Sequence, residues 1–234
     1  GSDCGHDRRQ APPDQQRRRR IHADRLILAC ALVLWAGIGA ADTLRFATFN
    51  TELHRRRPGL LLRDIQRGDD AQIDAVVAII AQVAPDVLLL TGFDWDLDGL
   101  ALTALSDHLA RVGASYPHRF APRPNSGVMT DFDMDGDGRL GGPRDAQGFG
   151  RFTGEGAMAL LSRWPIKAEA AVNFTDLLWR DLPGAILPEL GGEPFPSSRA
   201  QAAQRLSSVG HWAVPVTTPG GPVWVLAYHA TPPV

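Results

Sequence analysis

Cysteine is almost absent: Cys4 and Cys30 are the only two in 234 residues, and both lie within the first 41. A disulfide framework and thiol chemistry are thereby excluded for the rest of the chain. The sequence also lacks a Gly-rich nucleotide loop and Cys/His zinc spacing, and beyond residue 41 it has no internal repeat and no low-complexity tract. The apolar run Leu26 to Ala41 has 16 residues, short of the roughly 20 that a spanning helix needs. Positive charge thins out past residue 41: the first 41 residues hold seven Arg and four Asp, so without them Lys plus Arg falls from 24 to 17 and Asp plus Glu from 26 to 22. That acidic surplus argues against a broad polyanion-binding surface, and no stable nucleic-acid partner is expected. Phosphate chemistry stays open wherever a cation supplies the missing positive charge.

With 44% apolar and 21% charged residues, the chain has the composition of one globular domain with a sizeable core. Residues 1–41 differ in kind. Arg17 to Arg20 and Arg25 precede the apolar run, which ends on the small residues Gly39 and Ala41. This is the layout of an export signal, with cleavage expected after Ala41. The expected mature protein, residues 42–234, is periplasmic or extracellular and has no membrane span.

The mature part reads as alternating strands and helices. Thr43 to Asn50 is a near-continuous apolar strand, and a loop with Arg55, Arg56 and Arg57 follows. Asp69 and Gln72 offer a capping-box-like start to a helix with Ile73, Val76, Val77, Ile80 and Val83 on one face. Pro85 ends it, and Asp86 to Leu90 has the length and apolar content of a buried strand, which makes a strand, helix, strand crossover. A second helix is expected from about Asp98 to Val112. Further strands are expected at Gly156 to Leu161, His211 to Thr217 and Val223 to His229.

Three features carry chemistry. Asn50 closes the first strand, two residues before Glu52, and His229 closes the last. An Asn there either makes an Asx turn or turns its amide toward a site; a strand-end His is either structural or functional. Asp131, Asp133, Asp135 and Asp137 fall at positions 1, 3, 5 and 7 of a loop with Gly136 at 6, the arrangement that wraps oxygens around Ca²⁺. Position 12 is Gly142 rather than Glu, and Asp145 is the candidate to close the shell. The expected role of this loop is structural. Arg180 and His211 are candidate lining residues for a substrate cleft, whereas the Arg67-Gly68-Asp69 tripeptide precedes a helix cap and carries no function.

Four segments in this order resemble the endonuclease/exonuclease/phosphatase superfamily, specifically its bacterial exported members: Phe46-Ala47-Thr48-Phe49-Asn50-Thr51-Glu52, Pro85 to Leu90, Gly156 to Pro165, and Leu226-Ala227-Tyr228-His229. The resemblance implies a two-sheet α/β sandwich, DNase I-like, and a phosphoesterase that uses Mg²⁺ or Mn²⁺ to hydrolyse a phosphate ester by water attack. It places Asn50 beside metal and phosphate, with Glu52 next to it, and His229 against a phosphate or leaving-group oxygen.

The chain departs from that pattern at Thr91-Gly92, where the resembled family carries Gln or Asn and then a metal-binding Glu. Asp94 and Asp96 are the nearest replacement ligands, and Asp94 shares the sheet face of Gly92 if the strand continues. Val209 and Ala213 stand near the places of a Lys and an Asp in relatives. The Asp-x-Asn pair, a further Asp and the water-activating His that the resemblance implies after His229 do not occur before Val234. The expectation is an N-terminal portion, incomplete at the C-terminus and inactive alone. The other reading is a catalytically silent, Ca²⁺-stabilised extracellular binding module on the same fold.

Overall fold

A computed structural model describes Gly1 and residues 43–229. The predicted export segment lies outside the described residues except for Gly1. Leu44–Val234 forms a compact unit. In chain order its elements are β1 (Phe46–Leu53), α1 (Leu60–Arg67), α2 (Ala71–Val83), β2 (Val87–Phe93), α3 (Leu100–Arg111), β3 (His118–Phe120), β4 (Ala157–Ser162), β5 (Val172–Asn173), β6 (Glu189–Leu190), β7 (Glu193–Pro194), α4 (Ser198–Ala203), β8 (His211–Thr218) and β9 (Gly221–Tyr228).

The first sheet has the order β1-β2-β4-β3, and the second β5-β8-β9. β1 and β2 run parallel, as the crossover reading requires, and β4 returns antiparallel beside β2. α2 makes the crossover. Asp70, not Asp69, caps it: the Asp70 carboxylate accepts from the backbone N–H groups of Gln72 and Ile73. The shift by one residue follows from Asp70 being extended, the backbone form that lets a side chain reach back to the first free amides. Ile73, Val76, Val77 and Ile80 are buried as their spacing predicts, while Val83 in the last turn is 42% exposed.

Two apolar layers follow. On one face of the first sheet, Leu88, Leu90 and Leu161 pack with Ile73, Ile80, Leu105 and Leu109 of the helices. On its other face, Val87, Met158 and Leu160 meet Trp212, Val214 and Val216 of the second sheet. Trp212 stands edge-on to Phe120, with ring centroids 5.5 Å apart. Each fully buried Leu or Ile contributes about 2 kcal/mol by leaving water, which accounts for the mixed α/β sandwich: helices bury one face of β2 and the second sheet buries the other. On the outer face of the second sheet Trp224, Leu226 and Tyr228 alternate and remain exposed.

α1 was not expected from the sequence, which reads as loop there. It is held by tertiary burial of Leu61 and Ile65 and by no side-chain cap. Among the described residues no helix is long and apolar enough to cross a membrane.

Candidate active site

The C-terminal half of β1 and the residue that follows β9 line one cleft, although the two strands belong to different sheets. Asn50 and Glu52 on one side and His229 on the other line a single cleft of about 430 Å³. Loop residues complete it: Ser126, Phe149, Arg151, Glu155 and Ser208. Irregular segments supply all five, and for that reason neither period 2 nor period 3.6 exposed them in the sequence.

The local geometry at β1 is unusual. Asn50 pairs with Thr91 and Leu53 with Phe93, so Thr51 and Glu52 together oppose the single residue Gly92. This is a β-bulge, and it puts Glu52 at φ +53° and Gly92 at φ +66°. Thr51 is buried beneath it, and its hydroxyl donates to the carbonyls of Thr91 and Gly92. Gln72 in the first turn of α2 holds the bulge from the far side, donating Nε2 to the Thr51 carbonyl at 3.2 Å and to that of Glu52 at 3.0 Å.

Above the bulge, Asn50 Nδ2 donates to Glu52 Oε1 at 2.7 Å. Glu52 Oε2 lies 3.3 Å from His54 Nε2, and His54 also lines the cleft. A Cβ added at Gly92 would stand 2.4 Å from Asn50 Oδ1. The amide oxygen therefore takes the volume that a side chain on β2 would fill. Arg151 lies over the Phe149 ring, 5.8 Å from its centroid, and its guanidinium pairs with the buried Glu155. Two polar atoms in the cleft wall are buried without a hydrogen-bond partner among the described residues: Ser126 Oγ and His229 Nδ1.

The sequence model of the Endonuclease/Exonuclease/phosphatase family matches residues 47–230. The chain belongs to this family. Members of this family are generally hydrolases of the phosphoesterase and nuclease type and generally work with a divalent metal. Among solved structures, an endonuclease/exonuclease/phosphatase from Beutenbergia cavernae is 21% identical with a TM-score of 0.44, over 81% of this chain and 39% of that one. SmcL is 18% identical with a TM-score of 0.35, over 80% of this chain and 48% of that one. The chain thus spans less than half the length of these two solved chains. Among curated proteins, none matches it.

The other sequence-predicted residues lie elsewhere. Asp94 does not line the cleft; its carboxylate oxygens accept from the backbone N–H groups of Arg55 at 2.7 Å and Gly156 at 3.0 Å. Burial raises its pKa above the usual carboxylate range. Asp94 thereby pins the turns that carry His54 and Glu155. Arg180 sits in a short 3₁₀ turn beside Asp181, and His211 lines a separate apolar groove with Phe174, Trp212 and Tyr228.

In the acidic loop, Asp133, Asp135 and Asp137 each place an oxygen within 4.8 Å of the others. Backbone N–H donors led by Gly138 lower the Asp133 pKa from the ordinary carboxylate value. Asp131 is exposed and outside this cluster. Asp145 is buried and closes the loop through protein contacts, accepting from the N–H groups of Met134 at 3.0 Å and Gly142 at 2.9 Å.

Proposed function

We propose that this chain belongs to an exported, divalent-metal-dependent phosphoesterase, of which it carries the Asn50 and His229 side of the active site. The single observation behind this reading is the convergence of these two strand tips, from different sheets, on one cleft. The donor set fits a cation: an amide oxygen held in the space vacated by Gly92, and a Glu52 carboxylate that is 64% exposed and open toward the cleft. Asn50 and Glu52 would hold Mg²⁺ or Mn²⁺, which when bound offsets phosphate charge and polarises the reacting ester.

The chain's own side chains do the rest. His229 donates from its ring to a phosphate or leaving-group oxygen, a role that its unpartnered Nδ1 leaves room for by keeping the ring free to pick its tautomer. Arg151, stacked on Phe149, brings the one guanidinium that lines the cleft among the described residues, suited to a phosphate oxygen. Ca²⁺ is assigned to Asp133, Asp135 and Asp137, pinning the loop outside the chemistry.

The test is hydrolysis of bis(p-nitrophenyl) phosphate by the full chain and by the chain continued past Val234, with Mg²⁺, Mn²⁺ or chelator. Cation-dependent turnover that falls in Asn50→Ala and His229→Ala supports the reading. Turnover indifferent to chelator overturns it. Cation binding without turnover in either chain favours the silent binding module.

A further inference from the structure

Across the cleft from His229, one strand end presents three donor side chains in succession. Asn50, Glu52 and His54 all line the cleft and are linked to one another, at 2.7 Å between Asn50 Nδ2 and Glu52 Oε1 and at 3.3 Å between Glu52 Oε2 and His54 Nε2. The second spacing is close to that of neighbouring ligands around one small cation, about 3 Å for bonds of about 2.1 Å. Side-chain exposures of 64% for Glu52 and 42% for His54 leave both within reach of an ion from solvent.

The backbone beneath them is strained toward this arrangement. Glu52 holds a left-handed φ of +53°, which a residue with a side chain adopts at a cost. Two neighbouring elements keep it there: Gln72 on α2 through the Thr51 and Glu52 carbonyls, and β2 through Thr51 Oγ1. β2 itself contributes space and no ligand, because Gly92 gives its side-chain volume to Asn50 Oδ1. Asp94, the nearest carboxylate on that strand's continuation, spends both oxygens on backbone amides.

Resting on the phosphoesterase reading, we propose that Asn50 Oδ1, the Glu52 carboxylate and His54 Nε2 form a divalent-cation seat carried by β1 and its extension alone. Gly92 is its spacer, and Gln72 is the positioning residue that fixes Glu52. The imidazole sets the preference. Mg²⁺ favours an all-oxygen octahedral shell, whereas imidazole nitrogen suits Zn²⁺ and is accepted by Mn²⁺. The seat therefore ranks Mn²⁺ and Zn²⁺ above Mg²⁺.

The experiment is Mn²⁺ binding to the full chain, read by the loss of free-ion paramagnetic resonance signal, with Mg²⁺ as competitor. It is run in an Asp133→Asn, Asp135→Asn, Asp137→Asn background so that the acidic loop contributes nothing. One site is expected, weakened by about tenfold or more in Glu52→Gln and in Asn50→Ala, and about tenfold in Gln72→Ala through misplacement of Glu52. His54→Ala should reduce Mn²⁺ binding while leaving Mg²⁺ competition nearly unchanged. Gly92→Ala should weaken binding because its Cβ displaces the Asn50 amide. Wild-type Mn²⁺ affinity in Glu52→Gln, or equal losses of Mn²⁺ and Mg²⁺ in His54→Ala, overturns the seat. Circular dichroism of each variant separates these outcomes from misfolding, and the exposed Glu52→Gln stands as the variant least able to disturb the fold. If Glu52→Gln binds normally while hydrolysis stays cation-dependent, the seat fails and the phosphoesterase reading survives. If the seat behaves as expected while turnover ignores chelator, the reverse holds.

Discussion

Arg205 Nη1 donates to Asn125 Oδ1 at 2.5 Å, joining residues 80 positions apart behind the cleft wall. Asn125 is fully buried and spends its amide nitrogen on the carbonyls of Thr175 and Ser207, while its backbone N–H donates to the Val209 carbonyl. One side chain thus ties together the loops that carry Ser126 and Ser208 into the cleft. Asn125→Ala would leave two carbonyls and part of a guanidinium without partners, and should destabilise the fold by about 3 kcal/mol. Urea unfolding measures it; a loss within error would mean that these loops are held by other contacts.

Among the described residues two other than Gly have positive φ, Glu52 and Ala84, and they should respond in opposite ways functionally. Ala84 ends α2 in a left-handed C-terminal cap. Ala84→Gly should stabilise by about 1 kcal/mol, since Gly enters that region without the Cβ penalty. Glu52→Gly should give a similar gain and lose Mn²⁺ binding. Chemical denaturation of both variants, alongside the Mn²⁺ titration, would show whether strain at Glu52 serves the cleft.

His211 should leave a signature in acid. Burial holds its imidazole below the ordinary 6.5, so the folded chain favours the neutral ring. As pH falls below 6.5 the unfolded chain takes up this proton first, and stability declines until the folded ring also titrates. Above 6.5 the contribution is fully present. His211→Gln should flatten the stability profile in this window relative to wild type. Paired urea melts stepped downward from neutral pH test this, and parallel profiles would remove His211 as the source.

Calcium should stiffen the acidic loop. Binding to the folded state alone raises the melting temperature, by a few degrees once Ca²⁺ is well above its dissociation constant. Asp135→Asn with Asp137→Asn should abolish that rise and leave the Mn²⁺ site of β1 untouched. A melting temperature equally responsive to Ca²⁺ in the double variant would locate calcium elsewhere.

Much of the sandwich was legible in the sequence because its strands are long and apolar: β1, β2, β4, β8 and β9 all lie within a few residues of their expected spans. α1 was not, since Leu60, Leu61 and Leu62 run together without helical spacing and only Leu61 and Ile65 find burial. α4 is a turn and a half of Ser, Arg, Ala and Gln, stabilised by the Ser197 hydroxyl at the Ala200 amide rather than by an apolar stripe. At the cleft, Asn50 and His229 showed as polar residues at the ends of apolar runs. The bulge gave no such sign. Reading β2 as regular points to Asp94 as the replacement for a missing ligand, yet the extra residue lies on β1, where Glu52 is turned toward the cleft.

The meeting of β1 with β9 has a consequence for synthesis. A ribosome releases Asn50 early and His229 much later, so a nascent chain can fold its first sheet and helices long before both sides of the cleft coexist. The cleft is therefore a late product of synthesis, although the sheet that carries Asn50 is an early one.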